Sequence, residues 1–464
     1  MSDDKKDRDQ PLTRRDFLIR SAAVGAGLAL SGAGLLSLSE AQTATGQPNI
    51  LLIITDDHRW DAMGCSGHPF LQTPNMDRLA AEGVRFTNSF ATTSLCSPSR
   101  ASILTGLYAH NHGVTINSMT LNPGVVTFPE LLQQAGYDSA FMGKWHLGNA
   151  IDPSPGNAIA PRPGFNRWVC FRRGAYFDPE FNIDGEVQTV RGYVTDILTD
   201  FAIEWLLRPR SQPFFVMLSH KAPHSNYDPA RRHTNLYEGL PIPRRKNVWD
   251  TLEGKPKWVR RRSKGSPSDE HIRNYFRTLV AVDEGMGEIF STLEALGQMD
   301  NTLIIFVGDN GFCLGEHGLT GKQIAYEESI RIPLLMRYPG LAAPGFVCEE
   351  LALNIDLAPT ILDLSGAGIH PQMQGMSLRS LLSGQQTQWR EEFLYEFLPK
   401  IQAKIQGVRT RRWKYVTYPD RRDIDELYDL AADPFEMLNL SRDPAFRSQM
   451  RSLRGRLERL LQET

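Results

Sequence analysis

Four apolar runs in this chain each end in residues that can do chemistry. Asp56-Asp57 follow the first, Lys144-Trp145-His146 the second, His220-Lys221-Ala222-Pro223-His224 the third and Asp309-Asn310 the fourth. An aspartate after a strand is commonly a helix cap and a lone histidine is usually structural, so any one of these could be ordinary. Four of them at four run ends point to a shared site. Carboxylates with an amide oxygen make a hard, oxygen-only donor set, which suits calcium or magnesium better than zinc. Asp56, Asp57, Asp309 and Asn310 are therefore the candidate metal ligands. Three carboxylates gathered without a cation would raise one another's pKa, and calcium is preferred because it tolerates irregular geometry.

The densest local signal is Cys96-Ser97-Pro98-Ser99-Arg100-Ala101-Ser102-Ile103-Leu104-Thr105-Gly106. Pro98 fits the first turn of a helix, so Cys96 stands at its positive end and Arg100, four residues on, shares its face. A side chain there meets anions. From the residues alone, Cys96 is either a low-pKa thiolate nucleophile or a buried small side chain.

The elements that must position these groups follow from patterning. Residues 49–55, 137–143, 214–219 and 303–308 are continuous apolar runs of strand length, as in a parallel sheet covered on both faces. Helical spacing intervenes, for example over 75–82 before Gly83 and 128–135 before Gly136, each with the glycine stop expected at C′. The alternation predicts one large α/β domain, in which ligands sit beyond the carboxyl ends of the strands. From about residue 390 the pattern changes to short strand-like pieces at 392–397, 405–411 and 413–418, then Glu426-Leu427-Tyr428-Asp429-Leu430 and a basic amphipathic helix near 448–461. We expect a small α+β domain over 390–464 after a catalytic domain over 42–389.

Composition excludes several classes. Hydrophobic residues at 41% and charged residues at 22% of 464 describe a globular chain, and a net charge of -2 gives no general basic field for nucleic acid. Five cysteines are no disulfide framework, although Cys65, Cys170, Cys313 and Cys348 could pair after export. Thr13-Arg14-Arg15-Asp16-Phe17-Leu18, a small-residue apolar stretch from Ala22 to Leu38, and Ser39-Glu40-Ala41 read as a twin-arginine export signal. That stretch is short for a membrane span, so the mature chain is expected to begin near Gln42, in the periplasm or outside. Residues 231–264 hold eleven Lys/Arg against three acidic residues, either a solvated loop or a rim that steers anions.

The Cys96–Gly106 segment resembles the sulfatase signature C-x-P-S-R-x-x-x-x-T-G at every fixed position. The flanking blocks are similar to those of type I sulfatases: Thr55-Asp56-Asp57, Gly143-Lys144-Trp145-His146-Leu147-Gly148, His220 to His224, Asp309-Asn310-Gly311, and Gly321-Lys322 before Tyr326-Glu327-Glu328-Ser329. A weaker likeness continues in Leu427-Tyr428-Asp429-Leu430 and Asp433-Pro434. The resemblance implies an alkaline-phosphatase-like α/β fold with a large mixed, mostly parallel sheet. It also implies that a maturation enzyme oxidises Cys96 to formylglycine, and that this residue, Asp56, Asp57, Asp309 and Asn310 surround one calcium ion. Arg100 and Lys144 would hold the modified residue, His146 would act on its second hydroxyl, and His224 with Lys322 would bind the sulfate and serve the leaving oxygen.

Sulfate ester hydrolysis is the expected activity, with phosphoryl or phosphonate ester hydrolysis and non-catalytic binding of sulfated glycans as rivals. Pro161-Arg162-Pro163-Gly164-Phe165, Tyr176-Phe177-Asp178-Pro179 and Gly192-Tyr193-Val194-Thr195-Asp196 look like segments of glucosamine-6-sulfatases. Gly315-Glu316-His317-Gly318 is similar to a uronate-2-sulfatase block, in which His317 either touches the sugar or shapes the loop. His58, Trp60 and His68 are read as packing or surface residues rather than pocket residues.

Overall fold

The computed structural model describes residues 46–148, 162–341, 344–385, 388–421 and 423–464. The expected export signal over residues 1–41, and Pro161, lie outside them. Strands run as β1 (Asn49–Thr55), β2 (Val84–Phe90), β3 (Asp138–Gly143), β4 (Arg167–Arg173), β5 (Glu180–Ile183), β6 (Glu186–Thr189), β7 (Phe214–Ser219) and β8 (Thr302–Gly308). A short hairpin, β9 (Cys313–Leu314) with β10 (Thr320–Gly321), precedes β11 (Leu334–Arg337) and β12 (Phe346–Leu353). Ten of these strands form one sheet in the order β12-β2-β11-β8-β1-β7-β3-β4-β5-β6.

The four apolar runs are the centre of that sheet, and β8, β1, β7 and β3 are parallel neighbours. Register brings their ends into line: Thr55 lies opposite Gly308, Ile54 opposite Ser219, and Gly143 opposite Ser219. The residues after each strand must therefore emerge at one edge, which is why the chemistry converges. Burial on both faces accounts for the unbroken apolar runs: Ile50, Leu52 and Ile54 face one core with Phe141 and Phe215, while Leu51 and Ile53 face another with Val216 and Phe306. Each such side chain contributes about 2 kcal/mol by leaving water. The first face is covered by the helix Leu357–Ser365, the second by the long helix Asp269–Ala295, whose N-cap Ser268 accepts from the His271 N–H.

One helix stop differs from expectation. Gly136 takes the left-handed φ of 92°, but Gly83 sits at −137°. A Cβ on Gly83 would lie 2.2 Å from the Met336 carbonyl, so close approach of β11 requires glycine there.

The C-terminal segment forms a four-stranded antiparallel sheet of β13 (Glu392–Phe397), β14 (Ile405–Thr410), β15 (Trp413–Thr417) and β16 (Glu426–Asp429). The helix Arg447–Glu463 lays Leu453 and Leu457 on it, in a core that also contains Phe90, Leu351 and Leu353 of the large sheet.

Candidate active site

Cys96 opens the helix Cys96–Thr105, every residue of which is buried, and left-handed Gly106 closes it by donating its N–H to the Ser102 carbonyl. One turn along, Arg100 Nε donates to Asp309 Oδ2 at 2.9 Å, and Nη1 donates to the Lys144 carbonyl at 2.7 Å and to Ser219 Oγ at 2.5 Å. A single guanidinium thus ties together the ends of β8, β3 and β7.

Around the thiol the predicted groups assemble. Cys96 Sγ lies 3.2 Å from Asp56 Oδ1 and 2.7 Å from Lys322 Nζ. Lys144 pairs with the other oxygen of Asp56, and Lys322 pairs with Asp57. Asn310 Nδ2 donates to Asp57 Oδ1 at 2.7 Å, and Asp309 Oδ1 accepts from the N–H groups of Asp57 and Asn310 at 3.0 and 2.7 Å. His224 Nε2 stands 3.8 Å from Asp57 Oδ2. Asp57 adopts a left-handed φ of 67°, held by Tyr275, whose hydroxyl donates to the Asp57 carbonyl and accepts from the Arg59 N–H.

The donor set fits a divalent cation. Oxygens of Asp56, Asp57 and Asp309 lie within 4.8 Å of one another, and among the described residues the buried Asn310 Oδ1 has no hydrogen-bond partner. Burial pushes Asp309 up to about 7, and the charge of Asp56 adds to the rise. Burial would raise Asp56 as well, but Lys144, His224, Arg100 and Lys322 hold it well below the usual range. A buried carboxyl raised by a neighbouring carboxylate is what a cluster of acids shows without a counter-ion.

Burial and Asp56 push the Cys96 thiol up to about 12, against the pull of Lys144 and Lys322, which favours the buried side chain over the low-pKa thiolate. Burial, with Lys144 and Arg100, lowers His146 to about 3, so this ring is neutral, and among the described residues its Nδ1 lacks a partner. Burial lowers His224 too, against the pull of Asp56 and Asp57. Asp56, Lys144, Trp145, His146, Lys221 and His224 line a cleft of about 400 Å³.

Other expectations fall outside this cluster. His317 is fully buried: Nδ1 meets Asp250 at 2.6 Å, Nε2 meets Asn247 at 3.2 Å, and the ring stacks on Tyr326. It shapes its loop and cannot reach a sugar. Part of the basic stretch is paired, with Arg232 on Asp196 and Glu284, Arg244 on Asp269, Arg245 on Asp61, and Lys255 buried against Tyr428. His58 is buried between Thr55 and Ala62, and the five cysteines are unpaired. Ser219 and Tyr275 hold the site without belonging to any sequence motif; a polar residue ending an apolar run is the only signal for Ser219.

An open α/β sheet with a helix start, paired acids and lysines gathered at its carboxyl edge suits a hydrolase of tetrahedral oxyanion esters. The chain belongs to the sulfatase family: residues 48–367 match the family model "Sulfatase" and residues 315–463 match "N-sulphoglucosamine sulphohydrolase, C-terminal". It is a sulfuric ester hydrolase of alkaline-phosphatase-like fold, and the glycan-binder rival is set aside. It is 34% identical to an N-acetylglucosamine-6-O-sulfatase of Bacteroides thetaiotaomicron over 93% of this chain and 89% of that protein. A solved structure described as a complex with its substrate, D-glucosamine-2-N,6-O-disulfate, is also 34% identical, with TM-score 0.83, covering 89% of this chain and 97% of that one. The phosphonate monoester hydrolase of Agrobacterium radiobacter is 25% identical, with TM-score 0.76, covering 90% and 96%.

Proposed function

We propose that this chain hydrolyses the 6-O-sulfate of glucosamine units of glycosaminoglycan type, using formylglycine at position 96 and a calcium ion held by residue 96, Asp56, Asp57, Asp309 and Asn310. The observation that carries the reading is the Cys96 side chain wedged between Asp56 and Lys322 beside the other carboxylates. The likeness to N-acetylglucosamine-6-sulfatases supports the substrate.

When bound, calcium would supply a Lewis acid that polarises a sulfuryl oxygen and acidifies a neighbouring hydroxyl. The hydrated aldehyde of residue 96 would offer two geminal hydroxyls: the oxygen of one attacks sulfur as the alcohol leaves, and loss of the proton from the other re-forms the aldehyde C=O as the C–O bond breaks and sulfate departs with the attacking oxygen. An ordinary serine would stop at a stable sulfate ester. Lys144 and Lys322 balance charge on the sulfuryl oxygens, and Arg100 fixes the helix start and the strand ends. His224, at the cleft wall, protonates the leaving oxygen; neutral His146 takes the proton of the second hydroxyl.

The twin-arginine signal over 1–41, with the translocase and a formylglycine-generating enzyme as partners, makes this a periplasmic or secreted enzyme; N-terminal sequencing of exported protein should start near Gln42. The division at 389/390 belongs to the same reading. Sulfate release from N-acetylglucosamine 6-sulfate, measured beside an aryl phosphodiester and a phosphonate monoester, tests the function. We expect kcat/KM at least about 100-fold higher on the sulfate ester. A faster phosphonate reaction would transfer the chain to the second reading, which its likeness to a phosphonate monoester hydrolase favours.

A further inference from the structure

The cleft contains a cation that the reaction above does not use. Lys221, immediately after His220 at the end of β7, donates from Nζ to the Ser225 carbonyl at 2.9 Å and lies over the Tyr176 ring, 4.7 Å from its centre. The residue is only 9% exposed, and among the described residues no carboxylate pairs with it. An ammonium taken from water is costly unless an anion meets it, and one carbonyl uses one of its three donors. Tyr176 also donates its hydroxyl to the His224 carbonyl at 2.6 Å, so the plate beneath Lys221 is fixed to the backbone of the proposed acid. Gly174 borders the ammonium, where even a Cβ would stand 4.0 Å from Nζ, and among the described residues Lys221 lines the cleft beside His224.

We propose that Lys221 is a specificity-determining residue that receives a second anionic group, sulfate or carboxylate, of the substrate bearing the scissile sulfate. This rests on the sulfatase reading of the cleft. The enzyme then prefers sugars with two anions over those whose only anion is the ester being cleaved.

Three substrates and one variant test it. N-acetylglucosamine 6-sulfate has no second anion, glucosamine-2-N,6-O-disulfate has one on the same ring, and a disaccharide joining N-acetylglucosamine 6-sulfate to a uronic acid has one on the neighbouring ring. In Lys221→Gln, KM should rise about tenfold for the doubly anionic substrate that Lys221 serves and change less than about twofold for N-acetylglucosamine 6-sulfate, with kcat steady. Lys221→Arg should retain most of the preference. Which doubly anionic substrate responds identifies the ring. An equal loss on all three substrates would make Lys221 a brace for the Ser225 turn, and no loss on any would leave it no role; either overturns the proposal while the sulfatase reading stands. A wild-type enzyme that releases sulfate from none of the three overturns that reading and this proposal together.

Discussion

In the seam between the C-terminal sheet and the segment following Lys322, Glu327 meets Arg409 at 3.1 Å and Lys414 at 3.0 Å, and Lys414 also meets Glu436 at 2.5 Å. At the carboxyl edge of the large sheet, Asp56, Asp57 and Asp309 meet Lys144, Lys322 and Arg100 in comparable proximity. Both groups are buried, and each contains one acid that burial pushes up to about 7, Glu436 in the seam and Asp309 at the edge. They differ in what closes over them. In the seam, protein covers all four charged side chains, and Glu436 Oε1, which lacks a hydrogen-bond partner among the described residues, is still met by the Lys414 ammonium. At the edge, the cluster lies against a cleft, and among the described residues Asn310 Oδ1, Arg100 Nη2 and His146 Nδ1 have no hydrogen-bond partner. Buried charge that is self-contained holds a fold together; buried charge with orphan donors and acceptors is built for what binds there.

The contrast predicts which variants separate activity from stability. Cys96→Ala should cost at least about 10⁴-fold in kcat/KM while changing stability by no more than about 1 kcal/mol, and Cys96→Ser should release one burst of alcohol and then stall. Rapid-mix assays with denaturant melts check both. In the seam, Lys414→Met leaves Glu327 and Glu436 short of a cation and should cost about 3–5 kcal/mol of folding free energy, with kcat per folded molecule changed only a few-fold. A urea titration paired with active-site counting would expose a seam that acts on turnover instead. Calcium at about 100 times its Kd should add about 2.7 kcal/mol of stability, an increment absent in Asp309→Asn. Thermal melts with and without chelator read it directly.

The smallest effect concerns His110, which joins the main body to β13 through Glu396 at 2.9 Å. Its hydrogen bond to Glu396 raises its pKa above the ordinary 6.5. The stabilisation is therefore complete below about pH 6.5 and is lost as pH rises through the higher folded value. With the His110 side chain 29% exposed and so partly screened by solvent, the contribution stays under about 1 kcal/mol. The wild type should lose slightly more stability than Glu396→Gln between pH 5.5 and 8.5, and parallel pH profiles would remove the link.

The strand-end chemistry was legible because β1, β3, β7 and β8 are buried on both faces and leave uninterrupted apolar runs whose endings stand out. Edge strands left no such trace: β6 has no buried residue, and the first half of β12 alternates weakly. His317 was ambiguous because its neighbours in sequence say nothing of Asp250, 67 residues away, or of the stacking on Tyr326. The basic stretch overstated its free charge for the same reason, since Asp196, Asp269, Glu284 and Asp61, which pair with Arg232, Arg244 and Arg245, lie outside it. Long-range partners decide whether a charge is free, and a linear reading does not contain them.

The central claim is that an oxidised residue 96 performs the hydrolysis. Intact and peptide mass spectrometry on preparations matured to different extents, set against sulfate release, tests it most directly. The aldehyde form is lighter than the thiol by about 18 Da, and specific activity should rise in proportion to its fraction and extrapolate to zero for the unmodified chain. Full turnover from protein whose Cys96 carries only the thiol would contradict the account.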